Sequence, residues 1–401
     1  MMTITCPKEL RKAFPFFASQ ASVIYLDTAA TAQKPACVME AMSSFLSSHN
    51  APVNRGAYTL SYVATEKYEN ARKTIARFIG SSEDHLIFTK GATEGLNLLS
   101  NGLKNKIKEN DEILVLETEH HANLLPWQKL AEERKAILVK IPVLDSGHID
   151  LEAFKKLLNP NVKIIACAHM SNVTGCIQPL KEIVNLIQDN EAYFIVDGAQ
   201  GIAHQKIDVS DLNLDAYVFS SHKLYGPTGL GVLHVSSRLL ETLDLYQVGG
   251  DVIESVSFEK TIYKKGRGRF EAGTPMVAEV LGLEAVVCFL SSLDLEALWA
   301  HEAYLISKIK KALLEMPGIH LLGSSDTGVV SFYSDHVHAL DLASYLDTAH
   351  IAIRSGHLCA QPALHRFHTS HAARISCGIY TTEEEIDKML KVLESALVFF
   401  N

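Results

Sequence analysis

Short apolar segments alternate with helical stretches through the first two thirds of the 401-residue chain, and this pattern constrains the fold more than any other feature. Several of these segments are apolar throughout, without the alternation of a half-exposed strand. Strands of that kind are covered on both faces, as in a parallel sheet flanked by crossover helices. The pattern therefore predicts an α/β fold with a mostly parallel central sheet. The candidate strands are 24–27, 85–89, 112–117, 137–143, 162–168, 193–197, 215–219 and 230–235.

The pattern changes after about residue 265, where longer helical stretches occupy 277–292 and 296–316. Shorter strands and an amphipathic C-terminal segment follow them. A chain of this length exceeds what one hydrophobic core usually organises. We therefore predict a large α/β domain over residues 16–263, and a smaller α+β domain formed by residues 1–15 and 264–401.

The composition argues against several classes of function. A formal net charge of −9 disfavours a nucleic-acid partner. No apolar run reaches the roughly 18 residues of a membrane helix, and no secretion signal is recognisable at the N-terminus. The seven cysteines are scattered, without a C-x-x-C pair, which predicts neither a disulfide framework nor a structural zinc site. We expect a cytoplasmic protein that binds neither nucleic acid nor membrane and holds no metal.

An aspartate and a lysine follow consecutive apolar strands. Asp197 ends the strand at 193–197, and Lys223 lies 26 residues later in the segment SSHKLYGP. In a parallel sheet both lie at the carboxyl edge, where ligands bind. An isolated aspartate there is often only a turn or helix cap. Together the pair suits pyridoxal phosphate, which forms a Schiff base with a lysine while an aspartate keeps its ring nitrogen protonated. Burial would lower the lysine pKa from its free value of about 10.4.

The segment FTKGATEGLN passes from a strand through a glycine into a helix. Backbone N–H groups at Gly91, Ala92 and Thr93 would point into the site, with the positive end of that helix behind them. Ser220 and His222, close to the lysine, would add further donors. A Thr-capped helix without any ligand would show the same pattern, so both interpretations stay open.

Two adjacent histidines follow a strand in ETEHHANLLPWQ. Metal binding would need a second cluster with ligand spacing, and the sequence contains none. A ring that stacks on a planar cofactor and titrates near neutral pH is a better use for His120. An ordinary surface histidine is the alternative.

The loop RSGHLCAQP carries Cys359 between glycine, histidine and proline residues. With Arg354 and His357 nearby and no apolar run around it, this thiol is expected to be partly exposed and able to ionise. Arg374, fifteen residues further on, could bind a substrate carboxylate with its planar guanidinium. A structural ion pair is the alternative for Arg374.

The motifs together resemble those of a known family along almost the whole chain. They are YLDTAATAQKP, NRGAYTLS, GATEGLN, EHHANLLPWQ, SNVTG, VDGAQ, SSHKLYGPTGLGVL, FEAGTP, RSGHLCAQP and ARIS. The chain resembles the cysteine desulfurases, class V enzymes of the fold-type I pyridoxal phosphate group. Within them it is similar to the SufS-type, or group II, branch, which includes selenocysteine lyase-like enzymes. The resemblance implies a large domain with a mostly parallel sheet and a smaller α+β domain that carries the cysteine loop.

The resemblance also implies roles for individual residues. Lys223 would hold the cofactor as a Schiff base, and Cys359 would take the substrate sulfur as a persulfide. His120 would stack on the cofactor ring and move a proton. Asn172 and Arg374 would hold the substrate carboxylate. Further cofactor contacts would come from Asp197, Gln200, Ala92, Thr93, Ser220, His222 and Thr274. Of these, Thr274 would reach the partner subunit's phosphate.

The implied reaction converts L-cysteine to L-alanine and passes sulfur from the enzyme to an acceptor protein of the SufE or SufU type, for iron–sulfur cluster assembly. L-selenocysteine is a candidate second substrate. Thr274 implies a homodimer, because its family role lies across a subunit boundary. Ala92 stands where relatives often have threonine, so one hydroxyl contact to the phosphate would be missing.

Three alternatives remain at this point. Another class V enzyme, an aminotransferase or epimerase, would explain Lys223 and Asp197 but not Cys359. A dedicated selenocysteine lyase would strongly prefer selenocysteine. A sulfur carrier without enzymatic activity would need no lysine–aspartate pair.

Overall fold

Helices and strands alternate along residues 6–324 and 327–400, the part of the chain that this computed structural model describes. The strands are β1 Ile24–Tyr25, β2 Leu86–Thr89, β3 Glu112–Leu116, β4 Ile137–Ile141, β5 Val162–Ala168, β6 Tyr193–Asp197, β7 Ala216–Ser220, β8 Gly231–Val235, β9 Ile253–Val256, β10 Thr261–Tyr263, β11 Ile319–Leu321, β12 Val329–Ser334, β13 Ile351–Ala352, β14 Arg354–Gly356 and β15 Ala372–Ser376. The α-helices are α1 Pro7–Leu10, α2 Pro15–Ser19, α3 Ala36–Ser48, α4 Thr59–Phe78, α5 Ala92–Leu103, α6 His121–Arg134, α7 Leu151–Leu157, α8 Leu180–Ile187, α9 Gly201–His204, α10 Ser237–Thr242, α11 Val277–Ser291, α12 Leu295–Glu315, α13 Ala339–Thr348, α14 Gln361–Arg366 and α15 Glu383–Phe400.

A seven-stranded sheet with the order β2-β8-β7-β6-β5-β3-β4 forms the centre of the molecule. Neighbouring strands from β7 to β4 are parallel, and β8 runs antiparallel to both of its neighbours. The predicted α/β fold with a mostly parallel sheet is therefore confirmed. The seven strands correspond to the apolar segments between residues 85 and 235 that the sequence marked as strands.

Both faces of this sheet are buried, which explains the continuous apolar runs. In β5, Ile165 and Cys167 pack into one hydrophobic core, while Ile164 and Ala166 pack into a second. Because successive side chains of a strand point to opposite faces, the two cores lie on opposite sides of the sheet. Helix crossovers cover each side, and the carboxyl ends of the strands remain open as a ligand edge.

A second sheet, with the order β11-β12-β15-β14, is antiparallel and packs with α12, α13 and α15 around its own core. Helix α15 begins beside Thr382, whose backbone N–H donates to the Glu385 carboxylate at 2.9 Å, as expected of a capping box. This sheet matters for function because β15 carries Arg374 and β14 begins at Arg354.

The strand predicted at 24–27 lies outside the central sheet. The observed β1 covers two residues and pairs in parallel with β13, more than 300 positions away. An apolar run predicts a buried strand but cannot specify its partner. Helix α11 likewise packs on α3 and α4, although the sequence assigned it to the smaller domain. The proposed boundaries between the two domains stay a prediction.

Candidate active site

A cavity of about 250 Å³ opens at the carboxyl ends of β6 and β7, between the central sheet and the loop after β14. Eleven of the twelve residues singled out in the sequence line it. They are Ala92, Thr93, His120, Asn172, Asp197, Gln200, Ser220, His222, Lys223, Cys359 and Arg374. The twelfth, Thr274, is exposed in the segment before α11 and does not line this cavity.

Asp197 and Lys223 reach the cavity from neighbouring parallel strands. Asp197 is the last residue of β6, is only 5% exposed and accepts the Ala199 N–H at 2.9 Å, so it also serves as a turn aspartate. Lys223 ends a short 3-10 turn directly after β7. Burial raises the pKa of Asp197, and Lys223 opposes that rise. Burial lowers the pKa of Lys223, which Asp197 in turn opposes. The site thus combines a buried carboxylate with an amine that loses its proton more readily than a free lysine.

The start of α5 forms one wall of the cavity. The Ser220 hydroxyl accepts the Ala92 N–H at 2.8 Å, which ties the end of β7 to the first turn of the helix. Thr93 is exposed to the cavity one position later. Beside them, burial first and then the charges of Lys223 and Lys34 lower the pKa of His222 to about 4. Hydroxyls, a neutral imidazole and a helix start therefore meet here, which suits an anionic group such as phosphate.

The surroundings of His120 favour its neutral form. Its Nδ1 accepts the Ala122 N–H at 3.0 Å and caps α6, so the ring proton is on Nε2. Burial, followed by the positive charge of Lys223, lowers the pKa of His120 to about 3. The expectation that this residue titrates near neutral pH is therefore wrong, because the sequence does not reveal how deeply the ring is buried beside a cation.

Arg374 forms the structural ion pair that was the alternative considered for it. Its Nη2 donates to Asp27 Oδ1 at 3.1 Å, and its Nη1 donates to the Asn172 carbonyl at 3.1 Å. The side chain is almost fully buried, yet its Nε has no hydrogen-bond partner among the described residues. A buried guanidinium N–H without an acceptor is costly unless a ligand supplies one. A carboxylate in the cavity would be such an acceptor.

Cys359 is exposed, as its loop composition predicted, and it lines the cavity together with Leu358. The Asn172 side-chain amide donates to the Leu358 carbonyl at 2.8 Å, and the His121 N–H donates to the Cys359 carbonyl at 2.7 Å. The loop from the second sheet is thus attached to the loops of the first sheet. The thiol and Lys223 share one cavity although they come from different parts of the fold.

Several wall residues were missed in the sequence. They are Ala29, Ala30, Ala122, Ala199 and Leu358. Gln200 Nε2 donates to the Ala29 carbonyl at 2.8 Å and so holds the turn after β1 against the cavity. The small residues of YLDTAAT, which let a backbone approach a ligand, were the available signal. Their use depends on the pairing of β1 with β13, which the sequence pattern does not show.

Metal-binding clusters and membrane-spanning helices bear on function. Within residues 6–324 and 327–400, no three His, Cys, Asp or Glu side chains are grouped so that they could hold a metal ion. The same residues contain no helix whose length and apolar character would let it cross a bilayer.

The sequence and the fold both match known proteins over nearly their whole length. Residues 24–389 match the family model described as aminotransferase class-V. A protein of Vibrio cholerae named "Probable cysteine desulfurase" is 43% identical over 378 residues, 94% of each chain. The apo structure of the cysteine desulfurase of Thermococcus onnurineus NA1 has a TM-score of 0.95 and 35% identity and covers both chains completely. The Escherichia coli cysteine desulfurase CsdA, in an S-sulfonic acid form, has a TM-score of 0.93 and 34% identity over 99% of this chain and 100% of its own.

The chain therefore belongs to the class-V aminotransferase family of pyridoxal phosphate-dependent enzymes. Within that family it belongs with the cysteine desulfurases. The cavity suits the cofactor of this family. A buried carboxylate lies close enough to a lysine of lowered pKa that each group affects the pKa of the other. A helix start with hydroxyl donors lies beside them. The Nε of Arg374, which lines the same cavity, has no hydrogen-bond partner among the described residues.

Proposed function

We propose that the protein converts L-cysteine to L-alanine and takes up the sulfur as a persulfide on Cys359. One observation carries this proposal: Cys359 lines the same cavity as Lys223, although the two residues are 136 positions apart. A lysine–aspartate pair alone would serve many class V reactions. An exposed thiol at the same cavity supports sulfur transfer in particular.

Most of the residues predicted from the sequence have a proposed part in holding the cofactor. Bound pyridoxal phosphate would withdraw electron density from the substrate Cα. Lys223 Nζ would bind the cofactor and later accept the Cα proton. Asp197 would keep a proton on the ring nitrogen, Gln200 would contact the ring oxygen, and His120 would lie on the ring. The phosphate contacts would come from Ala92, Thr93, Ser220 and His222, with Thr274 of a second subunit.

The sulfur step follows from the placement of Cys359. Its thiolate would attack the substrate sulfur, so that a sulfur–sulfur bond forms and the substrate Cβ–Sγ bond breaks. The electron pair of the broken bond goes to the substrate carbon, which takes up protons and leaves as L-alanine. The net change is the transfer of one sulfur atom to the enzyme thiol. Arg374 and Asn172 would hold the substrate carboxylate during this step.

The exposed position of Cys359 supports onward transfer of the sulfur to another protein. We propose an acceptor of the SufE or SufU type, iron–sulfur cluster assembly as the destination, and a homodimer in which Thr274 serves the neighbouring cavity. A reducing compartment such as the cytoplasm suits a chain that depends on the exposed thiol of Cys359. L-selenocysteine is a proposed second substrate, because it has the same carboxylate and amine as L-cysteine and because selenium leaves carbon more readily than sulfur.

The test is the formation of alanine from L-cysteine by the holoenzyme, measured with and without a thiol or acceptor protein. We expect one alanine for each sulfur removed and a persulfide on the peptide that contains Cys359. Pyridoxamine phosphate without sulfur release would indicate an aminotransferase, and D-cysteine would indicate an epimerase. Turnover of selenocysteine alone would indicate a dedicated lyase.

A further inference from the structure

The backbone at the reactive cysteine adopts an unusual conformation. Leu358 and Cys359 both lie in the left-handed region, with φ of 53° and 52°. Residues with a side chain avoid this region because the Cβ atom crowds the backbone carbonyl. Two such residues in succession do not hold this geometry by themselves, so contacts from other elements must stabilise it.

Three hydrogen bonds between this loop and residues on the central-sheet side supply those contacts. The Asn172 amide donates to the Leu358 carbonyl at 2.8 Å, and the His121 N–H donates to the Cys359 carbonyl at 2.7 Å. The third runs the opposite way, from the Gln361 N–H to Nε2 of the His121 ring at 3.2 Å. His121 therefore binds the chain both at Cys359 and two positions beyond it.

The position of His121 explains why one residue can make both contacts. It is the first residue of α6, so its N–H has no partner within the helix and is available to the loop. Its ring accepts at Nε2, which places the ring proton on Nδ1 and makes this histidine neutral. Burial, followed by the charge of His357, lowers the pKa of His121 and favours that form. The preceding residue, His120, faces the cavity instead.

We propose that His121 is a positioning residue that holds the Cys359 loop in the left-handed conformation that presents the thiol to the cavity. The adjacent histidines thus divide their tasks: His120 serves the cofactor side, and His121 serves the cysteine side. The expected effect on sulfur transfer rests on the proposed function, whereas the expected effect on the conformation of the Cys359 loop does not.

The test compares His121→Ala, which removes the ring acceptor but keeps the backbone N–H, with His121→Gln, whose side-chain oxygen can accept from Gln361. His365→Ala is the matched control, because it removes an exposed imidazole from the neighbouring helix α14. Hydrogen exchange of the peptide 357–364 in the holoenzyme reports the loop directly. Steady-state alanine release, cofactor absorbance and solvent exchange of the Cα proton of L-alanine are measured on the same samples.

We expect exchange in this peptide to become about tenfold faster or more in the alanine variant, and to stay near wild type in the glutamine and control variants. Since a misplaced reacting group lowers turnover, kcat should fall about 10- to 100-fold in the alanine variant. Cofactor absorbance and Cα proton exchange should remain unchanged, because neither requires Cys359.

Unchanged hydrogen exchange in the alanine variant would overturn the proposal, and so would faster exchange with normal kcat. Equal losses in the alanine and glutamine variants would overturn the role of the ring acceptor. If the wild-type holoenzyme releases no alanine from L-cysteine, the proposed function fails, while the exchange measurement still decides whether His121 holds the loop.

Discussion

The guanidinium of Arg374 donates through Nη2 to Asp27 Oδ1 at 3.1 Å, while its buried Nε has no partner among the described residues. Asp27 follows β1 and Arg374 lies in β15, so the pair joins the turn that walls the cavity to the second sheet. The ion pair fixes the direction of the guanidinium and leaves the Nε N–H without an acceptor among the described residues. This arrangement suits recognition of a single carboxylate.

Replacing Arg374 with glutamine should weaken the binding of L-cysteine. The loss of a charge-assisted hydrogen bond of about 2 kcal/mol corresponds to a decrease of about 30-fold in kcat/KM. Alanine release over a range of L-cysteine concentrations measures this effect, and cysteamine, which lacks the carboxylate, serves as the control ligand. A variant that discriminates between cysteine and cysteamine as strongly as wild type would contradict the assignment.

Lys223→Ala should abolish both turnover and the visible absorbance of the bound cofactor, because no other amine in the described residues lines the cavity. Lys34→Ala is a matched control. Burial lowers the pKa of Lys34 to about 8, and this lysine hydrogen-bonds to Thr31 at 3.0 Å without lining the cavity. Absorbance spectra and alanine assays separate the two variants. A yellow, active Lys223→Ala protein would disprove the role of this lysine.

Cys359→Ala should keep the cofactor spectrum but lose sulfur transfer from L-cysteine by about 100-fold or more, because the nucleophile is absent. Cys6→Ser and Cys288→Ser are controls, since these cysteines are also exposed but lie away from the cavity. Mass spectrometry of the persulfide and an alanine assay provide the measurements. Release of selenium from selenocysteine could persist without the thiol. Normal desulfuration of L-cysteine by the alanine variant would refute the acceptor role.

The buried histidines should make stability depend on pH. Burial lowers the pKa of His234 to about 4 from an ordinary value near 6.5. The unfolded chain therefore binds the proton first as the pH falls, so stability is fully present above about pH 6.5 and decreases towards pH 4. For one such residue the loss between pH 7 and pH 5 is about 2 kcal/mol.

A variant isolates this contribution from the other titrating groups. His234→Gln should have a free energy of unfolding that is less dependent on pH than that of wild type, by about 2 kcal/mol between pH 7 and pH 5. Urea unfolding at both pH values measures it. The raised pKa values of Glu119 and Asp197 act in the opposite direction but are common to both proteins. Identical pH dependence in the two proteins would contradict the buried neutral histidine.

Much of the fold could be predicted because it depends on local patterns. Continuous apolar runs predicted all seven strands of the central sheet, because a strand covered on both faces lacks a polar face. Asp197 and Lys223 could be placed at one edge because parallel strands share their carboxyl ends. Cys359 was separated from six other cysteines by the composition of its loop.

What the sequence did not show depends on contacts between distant segments. Asp27 meets Arg374, β1 pairs with β13, and His121 bonds to the cysteine loop, all across more than 230 positions. The low pKa of His120 has the same origin, because it arises from burial beside Lys223. The sequence by itself determined the types of side chain and the apolar runs that place them at strand ends. Only the tertiary structure decided which of those ends meet, because pairing, burial and electrostatic fields are set by neighbours in space.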